Sequence, residues 1–205
     1  MATIKSVRAG EFQPHADDMD ALALMAGLRG CFKLNPRGQI YHLWFGERMV
    51  NEHIRLFARF PNLISVSAGV SWGKFKMFND EGAIELAELP QLRCVELGGF
   101  LNLTNHCVQT FLKKKRILWL LLKCPNIDNR IMEHLPSMGH LVTLDLSHSG
   151  VTAESMPALK QLTNLRRLGL RKCGFTLEQI TELAKALPKC SVVNEQAVVD
   201  GRSVG

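Results

Sequence analysis

Apolar residues recur along the chain with a period of 24 residues. Two successive stretches, 117–140 and 141–164, agree at seven apolar positions. These positions are Ile117, Leu120, Leu122, Ile127, Met132, Leu135 and Met138, and then Leu141, Leu144, Leu146, Val151, Met156, Leu159 and Leu162. Seven matches in one register indicate an internal repeat, and a repeat of this length is typical of proteins built from stacked structural units.

The pattern extends over about six units, near residues 40–62, 63–91, 92–116, 117–140, 141–164 and 165–189. The last four units follow it most closely. The second unit carries an insertion at Gly69–Met77, and the first unit is divergent. We therefore predict a single repeat domain over residues 39–193.

Each unit combines two periodicities. The front has the form L-x-x-L-x-L, whose final residues alternate as in a short strand. The back, for example residues 151–162, has the spacing of a helical face, and Thr152 is predicted to cap that helix. A single unit cannot bury its apolar face alone, so stacking predicts an α/β solenoid with a parallel sheet on one side, helices on the other and leucines between them.

Two segments resemble the consensus of leucine-rich-repeat proteins: Leu141–Thr152 (LVTLDLSHSGVT) and Leu165–Thr176 (LRRLGLRKCGFT). The resemblance covers about Gln39 to Val193. The segments resemble bacterial proteins with 24-residue repeats and are also similar to the cysteine-containing subclass. The resemblance implies a right-handed horseshoe segment whose concave sheet face binds partners. In the family an Asn usually follows the strand, and its side chain bonds to backbone groups of the neighbouring unit. In this chain those positions are occupied by Phe100, Pro125, Ser149 and Cys173. We therefore expect at best a partial set of these Asn hydrogen bonds.

The ends of a stacked sheet need covering, because an exposed edge invites further pairing. Residues 1–38 are predicted to form an N-terminal helical cap. Within it Asp17–Arg29 is amphipathic, with Met19, Leu22, Ala23 and Ala26 on one face. Cys190–Val193 is a candidate last strand. Residues 194–205 are interpreted as a C-terminal tail that frays from Val198.

The resemblance directs attention to residues between the strand leucines, which should face the concave side. We take twelve of them as candidate partner-binding residues: Tyr41, Trp44, Arg93, Glu96, Leu118, Trp119, Leu121, Asp145, His148, Arg166, Arg167 and Arg171. Leu118, Trp119 and Leu121 are apolar where solvent is expected, as in many interaction sites. The alternative is that the insertion, with Trp72 and Phe75, folds over them.

Two basic groups stand out in the sequence. Arg166, Arg167 and Arg171, with Lys172, lie in the last full repeat, and Arg side chains suit carboxylate or phosphate groups. Lys113–Arg116 precedes a predicted strand. For both groups the alternative is an ordinary solvated surface.

Composition narrows the possible functions. The chain has 205 residues, 46% of them hydrophobic, and a net charge of +6, which fits one folded domain. The six cysteines form no Cys-x-x-Cys pair, which suits free thiols in a reducing compartment. No apolar run reaches the roughly 18 residues of a membrane span, and the N-terminus lacks a secretory signal, so we expect a cytoplasmic protein.

Signs of catalysis are few. His15, Asp17, Asp18 and Asp20 are interpreted as the polar start of a helix rather than a metal site. Asp145, Ser147 and His148 form the one acid–base trio, without an evident pocket. Cys94 and Cys124 are placed on the same face as the candidate residues. We expect no catalytic residue, metal or cofactor.

These observations favour a non-catalytic module that binds a protein partner through the concave face, where the arginines of the last repeat favour an acidic segment of that partner. One alternative is a phosphate- or nucleic-acid-binding accessory protein that uses the basic groups. Another is a structural subunit of a larger assembly.

Overall fold

The structure is a computed structural model that describes Ala21, Ala23 and residues 31–45, 50–69 and 78–203. Its centre is one nine-stranded sheet in which the strands lie in chain order. The strands are β1 (Cys31–Leu34), β2 (Ile40–Phe45), β3 (Ser65–Gly69), β4 (Cys94–Gly98), β5 (Trp119–Lys123), β6 (Thr143–Asp145), β7 (Arg167–Gly169), β8 (Ser191–Val193) and β9 (Val198–Asp200). Strands β2 to β8 are parallel to one another, as the repeat predicts.

The other side of each unit is helical. The α-helices are α1 (Ile54–Phe57), α2 (Asp80–Glu88), α3 (Asn105–Lys113), α4 (Met156–Leu159) and α5 (Leu177–Ala186). Short 3-10 segments occupy Asn51–His53, Asn129–Met138, Ala153–Ser155 and Gly201–Ser203. Among the described residues, no helix is long and apolar enough to cross a membrane.

The core lies between the sheet and the helices. Paired strand residues form its central row, and all of them are buried: Leu43, Val66, Val95, Leu120, Leu144, Leu168 and Val192. Aromatic rings lie in the core of the first units, where Phe45 stacks on Phe57 with 4.8 Å between ring centroids. Because successive strand residues point to opposite sides, the register that buries this row turns its neighbours outward.

A polar ladder joins the starts of successive helical segments on the convex side. In each rung, the side-chain oxygen of the first residue after an N-cap accepts a hydrogen bond from the backbone N–H of the next unit's N-cap. The rungs are Asn51–Asn79 (3.2 Å), Asp80–Thr104 (2.8 Å), Asn105–Asp128 (3.0 Å) and Asn129–Thr152 (2.9 Å). Ala153 cannot form the next rung, and Thr176 instead closes a capping box with Gln179 inside its own unit.

This ladder corrects the expected role of Thr152. The Thr152 side chain makes no N-cap hydrogen bond, and its hydroxyl accepts from Asn129 Nδ2 at 2.7 Å. The hydroxyl therefore links two units. At the position where the family has Asn, Phe100 is buried and the Cys173 thiol donates to the Leu146 carbonyl at 3.2 Å.

The two ends of the sheet differ from the sequence prediction. We predicted a helical cap over residues 1–38, but Cys31–Leu34 form β1, which pairs antiparallel with β2. Of the predicted amphipathic helix, Ala21 and Ala23 are helical, and Met19, Leu22 and Ala26 lie outside the described residues. At the other end, Val198–Asp200 form β9, antiparallel to β8, where we predicted a frayed tail. Hydrogen bonds to the neighbouring strand hold both segments against a sheet edge that would otherwise be open.

Candidate functional site

The face of the sheet opposite the core, which we call the open face, carries two rows of paired side chains. One row runs His42, Ser65, Cys94, Trp119, Thr143, Arg167 and Ser191, and the other runs Trp44, Ser67, Glu96, Leu121, Asp145, Gly169 and Val193. A third set lies one residue before the first row: Tyr41, Ile64, Arg93, Leu118, Val142 and Arg166. Each member donates its backbone N–H to the carbonyl of the preceding member, from Ile64 onward.

A groove of about 610 Å³ crosses the first five strands of the open face. It is lined by Lys33, Tyr41, His42, Ile64, Ser65, Ser67, Arg93, Cys94, Glu96, Leu118, Trp119 and Leu121. Three of its exposed side chains are apolar: Trp119 is 52% exposed, Ile64 43% and Leu118 39%. Apolar side chains this exposed around a recess are typical of interaction surfaces.

The polar floor of the groove is satisfied within the chain. His42 Nδ1 and Ser65 Oγ are 2.7 Å apart, and Ser67 Oγ donates to Glu96 Oε2 at 3.4 Å. Lys123 Nζ lies 2.7 Å from Glu96 Oε1 and 3.8 Å from Asp145 Oδ2, so one ammonium group holds both carboxylates. Lys123 therefore offsets one of these two negative charges, and the apolar wall of the groove stays exposed beside this polar network.

The His42–Ser65 pair has the spacing of a general base and a nucleophile, but its surroundings do not support acyl transfer. Burial, and then the nearby Lys33, lowers the pKa of His42. The backbone N–H groups of β3 and β4 around Ser65 bond to neighbouring strands, so this part of the sheet offers no pair of donors to an oxyanion. Burial raises the pKa of the Cys94 thiol, which keeps it protonated at neutral pH.

Six of the twelve predicted residues line the groove: Tyr41, Arg93, Glu96, Leu118, Trp119 and Leu121. Trp44 is 43% exposed on the same face beside Ser67 but does not line the groove. Asp145 lies one strand further on, where its carboxylate accepts from the Ser147 N–H at 2.9 Å and fills the space over Gly169. His148 follows β6 in a left-handed turn with φ of 61°.

Asp145, Ser147 and His148, the candidate acid–base trio, form hydrogen bonds within and between the turns that follow β6 and β7. Ser147 Oγ accepts from the Arg171 N–H at 3.0 Å, and the His148 N–H donates to the Arg171 carbonyl at 2.7 Å. Cys124 does not face the groove. It is fully buried, and its thiol lies 3.6 Å from the Leu97 carbonyl oxygen.

The arginines of the last repeat do not form one cluster. Arg166 and Arg167 stand at the start of β7, whereas Arg171 lies beyond its end, about 13 Å from Arg167 at about 3.3 Å per residue. Lys114 of the other basic run pairs with Glu88 at 2.5 Å, and Arg116 donates to the carbonyls of Ala87 and Leu89.

Several lining residues escaped the sequence prediction. Lys33 was assigned to a helical cap. Ile64 was detectable, because it follows Leu63 as Leu118 follows Ile117, and the two occupy equivalent positions. A second recess is lined by Arg166, Lys189 and Arg202. Nothing in the sequence indicates that Lys189 and Arg202 lie close together, because their proximity depends on the course of the C-terminal tail. Trp72 and Phe75 of the insertion lie outside the described residues, so their relation to the groove stays a prediction.

The fold is similar to that of internalin C2 from Listeria monocytogenes, with 16% identity, 98% of this chain and 94% of that chain covered, and a TM-score of 0.51. The tropomodulin C-terminal domain from Caenorhabditis elegans aligns at 16% identity over 72% of this chain and 82% of that chain, with a TM-score of 0.38. The TLR13–ssRNA13 complex aligns at 17% identity over 71% of this chain and 24% of that chain, with a TM-score of 0.43. No protein-family model and no curated protein matches the chain. The repeat, the parallel sheet and the likeness to internalin C2 together show that this chain has the leucine-rich-repeat fold.

Proposed function

We propose that the chain is a non-catalytic interaction module that binds a protein partner through the groove on the open face. The observation that carries this proposal is the concentration of exposed apolar residues there. Among the described residues, seven large apolar side chains are exposed, and Trp44, Ile64, Leu118 and Trp119 all lie on the first half of the open face.

The groove has the features of a binding hot spot. A tryptophan beside aliphatic residues offers a large apolar contact area, and a surrounding polar rim excludes water from it. Lys33 and Arg93 supply positive charge at the rim, whereas the carboxylate of Glu96 is matched by Lys123. The complementary partner therefore presents an apolar side chain next to an acidic residue. We expect it in the cytoplasm, where the six free thiols stay reduced.

The test replaces Trp119 with Asp. Partners are first identified by affinity purification with mass spectrometry, and the affinity of the purified pair is then measured by calorimetry. Removing a central tryptophan costs about 2–4 kcal/mol, so the dissociation constant should rise by roughly 30- to 1,000-fold. Leu177→Asp is the matched control, because Leu177 is similarly exposed but lies at the start of α5, away from the groove.

Circular dichroism must show that both variants keep the fold. A partner that binds the Trp119→Asp variant as tightly as the unmodified chain would refute the groove proposal. Loss of binding by the Leu177→Asp variant alone would move the interface to the convex side.

The nucleic-acid alternative has less support, because Lys114 and Arg116 already have partners within the chain and Arg171 is separated from Arg166. Binding to a polyanion should fall steeply with salt. The subunit alternative predicts co-purification of a fixed assembly rather than of a transient partner.

A further inference from the structure

Three cationic side chains converge at one corner of the sheet. Arg166 directly precedes β7, and Lys189 lies in the turn before β8, so the parallel strands bring both to the same sheet edge. Strand β9 is antiparallel, so its end lies beside the start of β8 and brings Arg202 to that edge as well. Together the three line a recess of about 350 Å³, which we call the C-terminal recess.

Arg202 is held in place by its backbone. The Gly201 N–H donates to the Cys190 carbonyl at 2.9 Å, and the Arg202 N–H donates to Asp200 Oδ1 at 3.0 Å. Gly201 is buried against the end of α5, where an added Cβ would collide with the Leu187 carbonyl. The third cation of the recess thus stands on a packed turn.

The recess carries an excess of positive charge. The Arg202 guanidinium contacts the Asp200 carboxylate at 3.3 Å, which offsets one charge. Arg166 and Lys189 form no ion pair with any carboxylate of the described residues. Counted over residues 31–203 as far as the structure describes them, these three cations and the Asp200 carboxylate leave a net charge of +2.

That charge matches a compact dianion. A phosphate monoester carries about −1.5 to −2 charges at neutral pH and offers three acceptor oxygens, while Arg side chains donate to such groups in pairs. A single carboxylate would offset only half of the excess charge. A nucleic acid needs a continuous track of cations, and Arg171, at the far end of β7, does not continue this one.

We propose that the C-terminal recess binds the phosphate group of a phosphorylated residue in a partner protein. This inference goes beyond the proposed function, because the recess lies outside the groove and binds its anion whether or not the groove is filled. The two sites are also within reach of one segment. Two strand spacings, about 10 Å or three extended residues, separate Trp119 from Arg167, the residue after the lining residue Arg166.

The experiment titrates the nitrogen-15-labelled full chain with an end-blocked Gly-phosphoserine-Gly peptide at low salt and follows backbone amide shifts. We expect saturable shifts at Arg166, Lys189, Ser191 and Arg202. The matched Gly-Glu-Gly peptide should bind about tenfold more weakly, as expected when about one charge-assisted hydrogen bond is lost.

Variants locate the site. Arg166→Gln with Lys189→Gln should weaken phosphopeptide binding by about 100-fold, because two charge-assisted contacts are removed. Arg171→Gln, an equally exposed arginine at the other end of β7, should leave it unchanged. Trp119→Asp should also leave it unchanged, which separates this inference from the groove proposal.

Three results would overturn the inference. One is unsaturable binding, and another is equal binding by the double variant with its amide spectrum intact. The third is that an oligo-dT strand binds more tightly than the phosphopeptide and shifts the amides of the Lys113–Arg116 turn as well. That result would indicate that the basic residues bind nucleic acid. Retained phosphopeptide binding by the Trp119→Asp variant, together with loss of its partner, would support both proposals separately.

Discussion

Replacing Asp80 with Ala tests whether the convex ladder stabilises the stack. Asp80 stands at the first position of α2, and its carboxylate accepts two hydrogen bonds from the next unit. The Thr104 N–H donates to Oδ1 at 2.8 Å and the Thr104 hydroxyl donates to Oδ2 at 2.5 Å. The Asp80→Ala substitution removes both bonds and leaves the Thr104 N–H without its acceptor.

The expected cost follows from the type of these bonds. A hydrogen bond to a charged group contributes about 1.5–3 kcal/mol when it is shielded from water. Both bonds here are only partly buried, so water can replace some of what is lost. We therefore expect the free energy of unfolding to fall by about 2 kcal/mol in total.

Urea unfolding followed by far-ultraviolet circular dichroism measures this change. With a slope of about 2–3 kcal/mol per molar urea, the midpoint should fall by nearly 1 M. Asp80→Asn is the matched control, since Asn51, Asn105 and Asn129 make the same backbone contact in the other rungs. That variant should stay within about 0.5 kcal/mol of the unmodified chain. The explanation is refuted if the free energy of unfolding of Asp80→Ala falls by less than about 0.5 kcal/mol, or if it falls by the same amount in Asp80→Asn.

Four further predictions concern individual glycine and cysteine residues. Gly169→Ala places a methyl group on the Asp145 carboxylate, so thermal denaturation should show a loss of about 1–3 kcal/mol, and an unchanged melting temperature would contradict this packing. Gly201→Ala should detach β9 from the end of α5, seen as faster amide exchange in β8 and β9 but not in β4. Exposed Cys31 should react with a thiol reagent in the folded chain, whereas buried Cys124 should react only after unfolding. Because burial raises the pKa of Cys124 from 9.0 to about 12, the unfolded chain releases this proton first, and stability should fall as pH rises from 9 to 12.

The sequence predicts the sheet well because the repeat carries redundant information. Seven matched apolar positions specify the register, and a register that buries Leu120 and Leu144 necessarily exposes Trp119. The same reasoning placed half of the candidate residues in one groove. The repeat also predicts an outward position for Ile64, because Ile64 and Leu118 occupy equivalent positions in their units.

The remaining features depend on residues that have no counterpart in other units. Strands β1 and β9 run antiparallel to the other strands and lie outside the repeat, so the periodicity does not predict them. Lys33 of β1 and Arg202 after β9 were missed for the same reason. The ladder was missed for a different reason. Asn, Asp and Thr are ordinary residues at helix starts, and nothing in the sequence of one unit shows that Asp80 serves Thr104 of the next.

The end of the ladder at Thr152 has a mechanical consequence. The curvature of a stack depends on how far apart its units lie on the convex side relative to the strand side. Up to Thr152, hydrogen bonds of fixed length set that spacing on the convex side. Beyond it the helical segments of the next two units are linked by an exposed ion pair between Lys160 and Glu182, a soft connection between long side chains. We therefore expect the coil to bend more easily between β6 and β7 than between earlier units, and such a bend would change the distance between the groove and the C-terminal recess.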